Sequence, residues 1–271
     1  MYDNLPIISS LQNPRLKSLV KLSKRRERDK EKVFIIEGIR PIERALKSGF
    51  EFTELFICSE FFYVKHGEDA LVKTFIGLGI PITNLSKEAF SKIAYREHPE
   101  GMLAIGKQWP IDISNIKLSK HPLLIVLESV EKPGNLGTIL RTADAIGADG
   151  VILCDPGTDI FNPNVIRAST GTIFSVPVAV TSSSSAINYL KNRGITILAA
   201  TPHTKNIYTD VNLSQPVAIV MGAEDTGLSR IWMDSCDLPV KLPMLGIADS
   251  LNVSAATVAI CYEALRQRQA R

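Results

Sequence analysis

Long apolar runs are missing from this sequence: nowhere do about 18 or more apolar residues follow one another, so an ordinary membrane-spanning helix is excluded. The opening stretch, MYDNLPIISSLQNPRLK, lacks the basic flank and apolar core of a secretory signal, and the expectation is a cytoplasmic protein. Cysteine is scarce. Cys58, Cys154, Cys236 and Cys261 lie far apart, with no C-x-x-C pair, which speaks for reduced, mostly buried thiols and against a zinc site or a disulfide framework. His66, His98, His121 and His203 do not cluster either, so no metal is expected. Charge of one sign is also lacking: 31 basic residues against 28 acidic ones leave a net +3, which by itself names no partner.

What is present is an ordinary globular composition, 45% hydrophobic and 22% charged, over 271 residues, enough for two domains or one large one. Residues 5–32 open with Ser10 to Pro14, and Leu16, Leu19, Val20 and Leu22 then mark one basic amphipathic helix. Strands at 33–38, 54–60, 81–86 and 101–109 alternate with helices at 39–49, 67–77 and 87–94, the pattern of a small α/β sandwich. Residues 110–121 are polar, with proline at or next to both edges, and read as a linker between a domain of residues 1–109 and one of residues 122–271. The second series starts with PLLIVLESV (122–130), apolar enough for a parallel strand covered on both faces. Further strands are expected at 150–154, 176–180, 195–200 and 217–222, with helices at 136–147, 163–169, 183–193, 226–234 and 253–269. The last helix carries an apolar stripe of Val253, Thr257, Ile260, Ala264 and Leu265, suited to packing within the chain or to an interface.

Positive charge is concentrated in residues 15–32, which hold nine basic and three acidic residues, a local +6. Such a run is either a solvated helix face or a surface for phosphates, and composition does not choose. Ligands of parallel α/β sheets bind at loops leaving the carboxyl ends of strands, and three such loops stand out. In EKPGNLGTILRTADAIGADG (131–150), Gly134 and Gly137 permit a tight turn, Asn135 offers donor and acceptor, and Arg141 lies on the first turns of the following helix. It is neither a P-loop nor a dinucleotide fingerprint. In VMGAEDTGLSRIW (220–232), Glu224 and Gly227 lead into a helix, where a carboxylate also simply complements the helix dipole. In VKLPMLGIADSLNVSAATVAI (240–260), Ser250 and Asn252 stand at the start of the final helix, where both residue types also serve as ordinary caps.

Taken together, these loops resemble the SpoU/TrmH family of RNA 2′-O-ribose methyltransferases over residues 122–269: N-x-G-x(3)-R as Asn135, Gly137 and Arg141; G-x-E-x-x-G-L as Gly222, Glu224, Gly227 and Leu228; P-M-x-G as Pro243, Met244 and Gly246, followed by S-L-N-V-S at 250–254. SSLQNPRLKSLVKL and FIIEGIRPIERAL look like the RNA-binding substrate domain often fused to that family, which resembles a ribosomal-protein fold. The resemblance implies a mostly parallel sheet flanked by helices, with a deep trefoil knot, and S-adenosylmethionine bent within the knotted loops. Gly222, Leu242, Met244 and Leu251 would line its pocket, Ser250 and Asn252 would add polar contacts or hold the loops in shape, and Thr201, after the strand ITILAA, is a further candidate.

The resemblance further implies methylation of a ribose 2′-hydroxyl in RNA, with Arg141 as principal catalytic residue, Asn135 orienting Arg141 or the ribose, and Glu224 fixing the loops or pairing with an arginine. Two readings of Arg141 stand. Since a free arginine keeps its proton near neutrality, it either clamps the RNA phosphate and stabilises charge growing on the 2′-oxygen, or passes a proton to that phosphate. With an RNA-binding fold around them, Arg15, Lys17, Lys21, Lys24, Arg25, Arg26 and Arg28 become candidate RNA contacts. The implied partners are RNA, foremost large-subunit ribosomal RNA, and a second copy of the chain, with no membrane. A transfer RNA substrate, a non-catalytic RNA-binding or assembly factor on the same fold, and a base or protein methyltransferase using the same cofactor are the rival readings.

Overall fold

The computed structural model describes residues 6–63 and 67–270. The chain forms two compact units, Met1–Trp109 with Asp159–Ser175, and Pro110–Thr158 with Val176–Arg271. The first is built on a five-stranded mixed sheet of order β1-β4-β3-β5-β2. Its elements run β1 (Ile7–Ile8), α1 (Pro14–Lys21), α2 (Arg25–Glu31), β2 (Val33–Glu37), α3 (Ile39–Lys47), β3 (Phe52–Ile57), α4 (Glu68–Gly77), β4 (Ile82–Leu85), α5 (Lys87–Ile93) and β5 (Met102–Lys107). β5 is antiparallel to both β2 and β3, whereas β4 runs parallel to β3 and β1. Alternation along β2 sends Ile35 to one face, into a core with Leu16 and Leu19 of α1 and Phe90 and Ile93 of α5. Phe34 points to the other face, where its ring meets Trp109.

The single basic helix expected over the N-terminal segment is two. α1 ends at Lys21, and α2 starts after the extended Lys24. Carbonyls at a helix end need donors from outside the helix, and here Arg28 supplies them: its Nη1 donates to Leu22 O and Ser23 O, each at 2.8 Å.

In the second unit six strands are all parallel, in the order β11-β9-β10-β6-β7-β8. The elements from residue 123 on are β6 (Leu123–Glu128), α6 (Pro133–Ile146), β7 (Gly150–Cys154), α7 (Pro163–Ala168), β8 (Val178–Thr181), α8 (Ser183–Lys191), β9 (Thr196–Ala200), β10 (Val217–Met221), α9 (Arg230–Ser235), β11 (Leu238–Val240) and α10 (Val253–Gln269). β6 is buried at every residue, as its unbroken apolar run requires of a strand covered on both sides. One face packs on α8 and α9 through Ile187, Leu190 and Trp232, and α10 lies against α6 and β10. Val253, Thr257, Ile260 and Ala264 are buried within the chain itself and Leu265 is half-buried, so four of the five stripe residues are core.

Two segments sit elsewhere than the sequence alone puts them. Residues 159–175, counted there with the second domain, belong to the first unit with α7: Phe161 and Phe174 join the ring cluster of Phe34 and Trp109, and Asp159 meets Arg28. Residues 110–121 pack within the second unit, where Ile116 enters the core and Ile111 O accepts from Val180 N at 2.8 Å. Among the described residues no helix is long and apolar enough to cross a membrane.

Candidate active site

Three strands of the second unit, β9, β10 and β11, deliver their carboxyl ends to one cavity of about 680 Å³, closed on another side by the start of α10. Ala200 and Thr201 line it after β9, Met221 to Leu228 after β10, Lys241, Leu242 and Met244 after β11, and Asp249 to Val253 at the entry to α10. The loop after β10 is drawn tight by a pair of bonds, Ala223 N to Gly227 O at 3.1 Å and Gly227 N to Ala223 O at 3.0 Å. Glycine is required at 222 for space: a Cβ there would lie 2.2 Å from the Gly227 carbonyl carbon. Gly227 instead needs its freedom for a φ of +69°.

The first motif enters through the amino-terminal turn of α6. Pro133 begins the helix, which suits a residue without an N–H, and leaves Lys132 at the cap position. Asn135 Nδ2 donates to Glu224 Oε1, and the Lys132 ammonium binds Glu224 Oε2. Asn135 Oδ1 in turn accepts from Asn252 Nδ2 at 3.3 Å, and Asn252 Oδ1 caps α10 by accepting from Ser254 N at 3.0 Å. One chain of polar contacts therefore links residues from all three motifs. The Glu224 carboxylate holds the Lys132 ammonium above its usual pKa range, chiefly through the hydrogen bond.

All seven residues expected to hold a cofactor, Thr201, Gly222, Leu242, Met244, Ser250, Leu251 and Asn252, line this cavity, and so does Glu224. Asn135 reaches it through Glu224 and Asn252. Arg141 does not line it. It is exposed on the third turn of α6, and its side chain makes no hydrogen bond or ion pair among the described residues. The helix-dipole explanation of Glu224 falls away, because α9 starts only at Arg230 and the carboxylate is engaged by α6. Sequence reasoning missed Lys132, whose signal was its place before a proline at a helix start. It also missed Asp225, Asp249 and His203, which line the cavity from loops without a periodic pattern.

The lining suits S-adenosylmethionine. Leu228, Leu242, Met244, Leu251 and Val253 offer an apolar slot for a flat adenine, while Thr201, Ser250 and the carboxylates of Glu224, Asp225 and Asp249 offer acceptors for hydroxyl and ammonium groups. Gly222 lines the cavity as well, the place of its missing side chain being taken by the Gly227 backbone. Among the described residues no group of three or more His, Cys, Asp or Glu is placed to hold a metal ion.

Of the basic residues expected to meet RNA, Lys17, Lys21, Lys24, Arg25 and Arg26 are exposed, Arg25 within 3.4 Å of Asp29. Arg15, also exposed, is engaged by Glu54, with Nε 2.8 Å from Oε2. Arg28 departs from the expectation. It is 2% exposed, and its Nη2 donates to Asp159 Oδ2 at 2.6 Å, so it presents no surface to a phosphate and ties the first unit together instead.

Residues 122–262 match the model of the SpoU rRNA Methylase family, and residues 13–104 match that of the MRM3-like substrate binding domain. The chain is 31% identical over 255 residues to the 23S rRNA (guanosine(2553)-2′-O)-methyltransferase RlmP of Bacillus subtilis, covering 94% of this chain and 97% of that one. A crystal structure of an RNA 2′-O ribose methyltransferase, 36% identical, superposes with a TM-score of 0.87 over 97% of this chain and all of the other. An AdoMet-bound rRNA methyltransferase from Sinorhizobium meliloti, 28% identical, also reaches 0.87, over 97% of this chain and 98% of its own. Matched through its second domain and alike to a curated relative along nearly its whole length, the chain belongs to the SpoU rRNA methylase family.

Proposed function

We propose that this protein methylates a ribose 2′-hydroxyl in ribosomal RNA, using S-adenosylmethionine bound in the cavity at the carboxyl ends of β9, β10 and β11. The observation that carries the proposal is the contact chain Asn252–Asn135–Glu224, which joins the three motifs at the mouth of one cavity of adenosine-accommodating size. Ribosomal RNA is preferred over transfer RNA because relatives aligned over nearly the whole chain, including its first domain, are named for 23S rRNA. Action on ribosomal RNA favours a cytoplasmic location.

Bound S-adenosylmethionine supplies a methyl group made electrophilic by its sulfonium. The chain's residues supply position and charge. Gly222 and the apolar residues around Leu242, Met244 and Leu251 hold the donor; Ser250 and Thr201 give it polar contacts; Asn252 and Asn135 keep the loops in register. Holding two reactants in line is worth about 7 kcal/mol or more in well-oriented cases. Glu224, bound by Lys132 and Asn135, fixes the loop after β10. Arg141, exposed and uncommitted, engages the RNA, where its planar fork binds a phosphate and stabilises charge growing on the attacking 2′-oxygen. The trefoil threading implied by the resemblance and a homodimer are part of the same proposal. Leu245 and Ile247 are fully exposed beside the cavity loops and Tyr262 is half-exposed on α10, which favours a second copy covering them.

The deciding experiment is alkaline-hydrolysis mapping of ribosomal RNA from cells with and without the protein, together with methyl transfer from labelled S-adenosylmethionine in vitro. A 2′-O-methylated nucleotide resists alkali. One position that becomes alkali-sensitive when the gene is deleted is the expected result, and an unchanged map with no transfer to RNA in vitro refutes the proposal.

A further inference from the structure

The first unit contains a second cavity, of about 560 Å³, far in sequence from the methyl-transfer motifs. Its wall is formed by Arg40 and Glu43 on α3, Tyr63, Arg96 and Glu100 in the loop leading to β5, and Thr170. Some of these groups are already engaged: Arg96 binds Glu100, Glu100 Oε2 accepts from Ile39 N at 2.9 Å, and Thr170 accepts from Arg44 Nη1 through its carbonyl at 3.0 Å. Others are not. The Arg40 side chain is exposed and that of Glu43 half-buried, and neither makes a hydrogen bond or ion pair among the described residues. Arg96 Nε is buried with no acceptor. Tyr63 is 54% exposed.

We infer that this cavity binds an unstacked nucleobase of the RNA, one that presents an amino group such as N4 of cytosine. The inference rests on RNA being the substrate and goes beyond that reading by assigning a recognition site. An aromatic ring, a free guanidinium and a free carboxylate around one hollow answer the three parts of a nucleotide: stacking face, phosphate and base edge. The two carboxylates disfavour a bare phosphate or a polyphosphate, which carries only negative charge and acceptors. A base with an amino donor answers Glu43, as carboxylates accept from cytosine N4, whereas the O4 of uracil at the same place would face Glu43 acceptor to acceptor. Arg40 then takes the adjoining phosphate and Tyr63 the base face. The exposed lysines of α1 carry charge that answers phosphates and would contribute no such preference.

The test uses the full chain without cofactor and compares single-stranded oligocytidylate with oligouridylate of equal length, two pyrimidines that differ in this edge. Wild type is expected to bind oligocytidylate tighter on the order of tenfold. Glu43→Gln, whose amide serves donor or acceptor, is expected to abolish the difference. Tyr63→Ala weakens oligocytidylate binding on the order of tenfold, and Tyr63→Phe restores it. As a readout that needs no variant, an oligomer carrying 5-iodocytidine should photocrosslink to the peptide containing Tyr63. Equal affinity for the two oligomers, a preference that survives Glu43→Gln, or crosslinks only elsewhere overturns the inference. Methyl transfer to ribosomal RNA, measured on the same preparation, keeps the two ideas apart. Transfer without cytidine preference rejects this site alone, and preference without transfer rejects the enzymatic reading alone.

Discussion

Arg141 and Arg28 show how far one residue type can diverge within a chain. Arg141 stands exposed and without a partner among the described residues, ready for a ligand, while Arg28 is enclosed and held by two carbonyls and Asp159. Replacing Arg141 by Ala should lower methyl transfer by on the order of 100-fold or more, as for loss of an electrostatic group at developing charge, and leave S-adenosylmethionine binding intact. Arg141→Lys should also be severely impaired, because lysine has no planar fork. Normal turnover in either variant, with affinity measured by calorimetry in parallel, removes the residue from the chemistry. Arg28→Ala should instead destabilise the fold, by roughly 3–5 kcal/mol, since it strands the Asp159 carboxylate and the carbonyls at the end of α1. Urea unfolding reads this, and pairing the change with Asp159→Leu and Arg28→Met should recover much of the loss.

At the scale of elements, the cavity depends on a tight loop and a helix that lean on one another. Gly222→Ala would drive a methyl group into the Gly227 backbone, and the loop must open to admit it. Displacement of positioning loops by about 1 Å costs on the order of 100-fold in rate, so this small change should abolish cofactor binding or turnover while most of the sheet persists in circular dichroism. Glu224→Ala should loosen α6 from the same loop and weaken cofactor binding. Lys132→Ala should cost much less, since the lysine end of that pair is 70% exposed and solvent screens it. If Lys132→Ala proves as damaging as Glu224→Ala, the lysine has a direct role with substrate. The break between α1 and α2 belongs to this scale too. The charged run continues across it although the apolar residues stop at Leu22, and the buried Arg28 holds the break by taking the Leu22 and Ser23 carbonyls.

Across the whole molecule, the buried thiols couple stability to pH. Burial pushes Cys154 and Cys261 to about 12, against an ordinary thiol value of 9. Between those values the unfolded chain releases protons that the native chain keeps, so the unfolded state binds fewer and stability falls as pH rises through that window. Below pH 9 both states hold the protons and the effect vanishes. Urea midpoints should therefore drop from pH 8 to pH 10.5, and Cys154→Ala with Cys261→Ala should flatten the drop. A slope unchanged by that double substitution assigns the effect to other groups. The elements themselves were largely legible in order and type, as the second unit's strands and α10 illustrate, because periodicity and caps are written within a few residues. β1 and β11 were not, being two and three residues long and held by partners elsewhere in the sheet. The motifs were legible too, and each cofactor residue that they suggested lines one cavity. What the amino-acid order determined by itself was thus local: spacing, capping, which residue types stand in each loop, and a kinship readable from them. That β10 lies between β9 and β6, that residues 159–175 join the first unit, that Arg28 is buried and Arg141 free, and that Arg40, Glu43 and Tyr63 share a hollow were decided only in three dimensions. Each depends on groups tens to more than a hundred positions apart, and burial and partnership between such groups exist only once the sheets have closed over them.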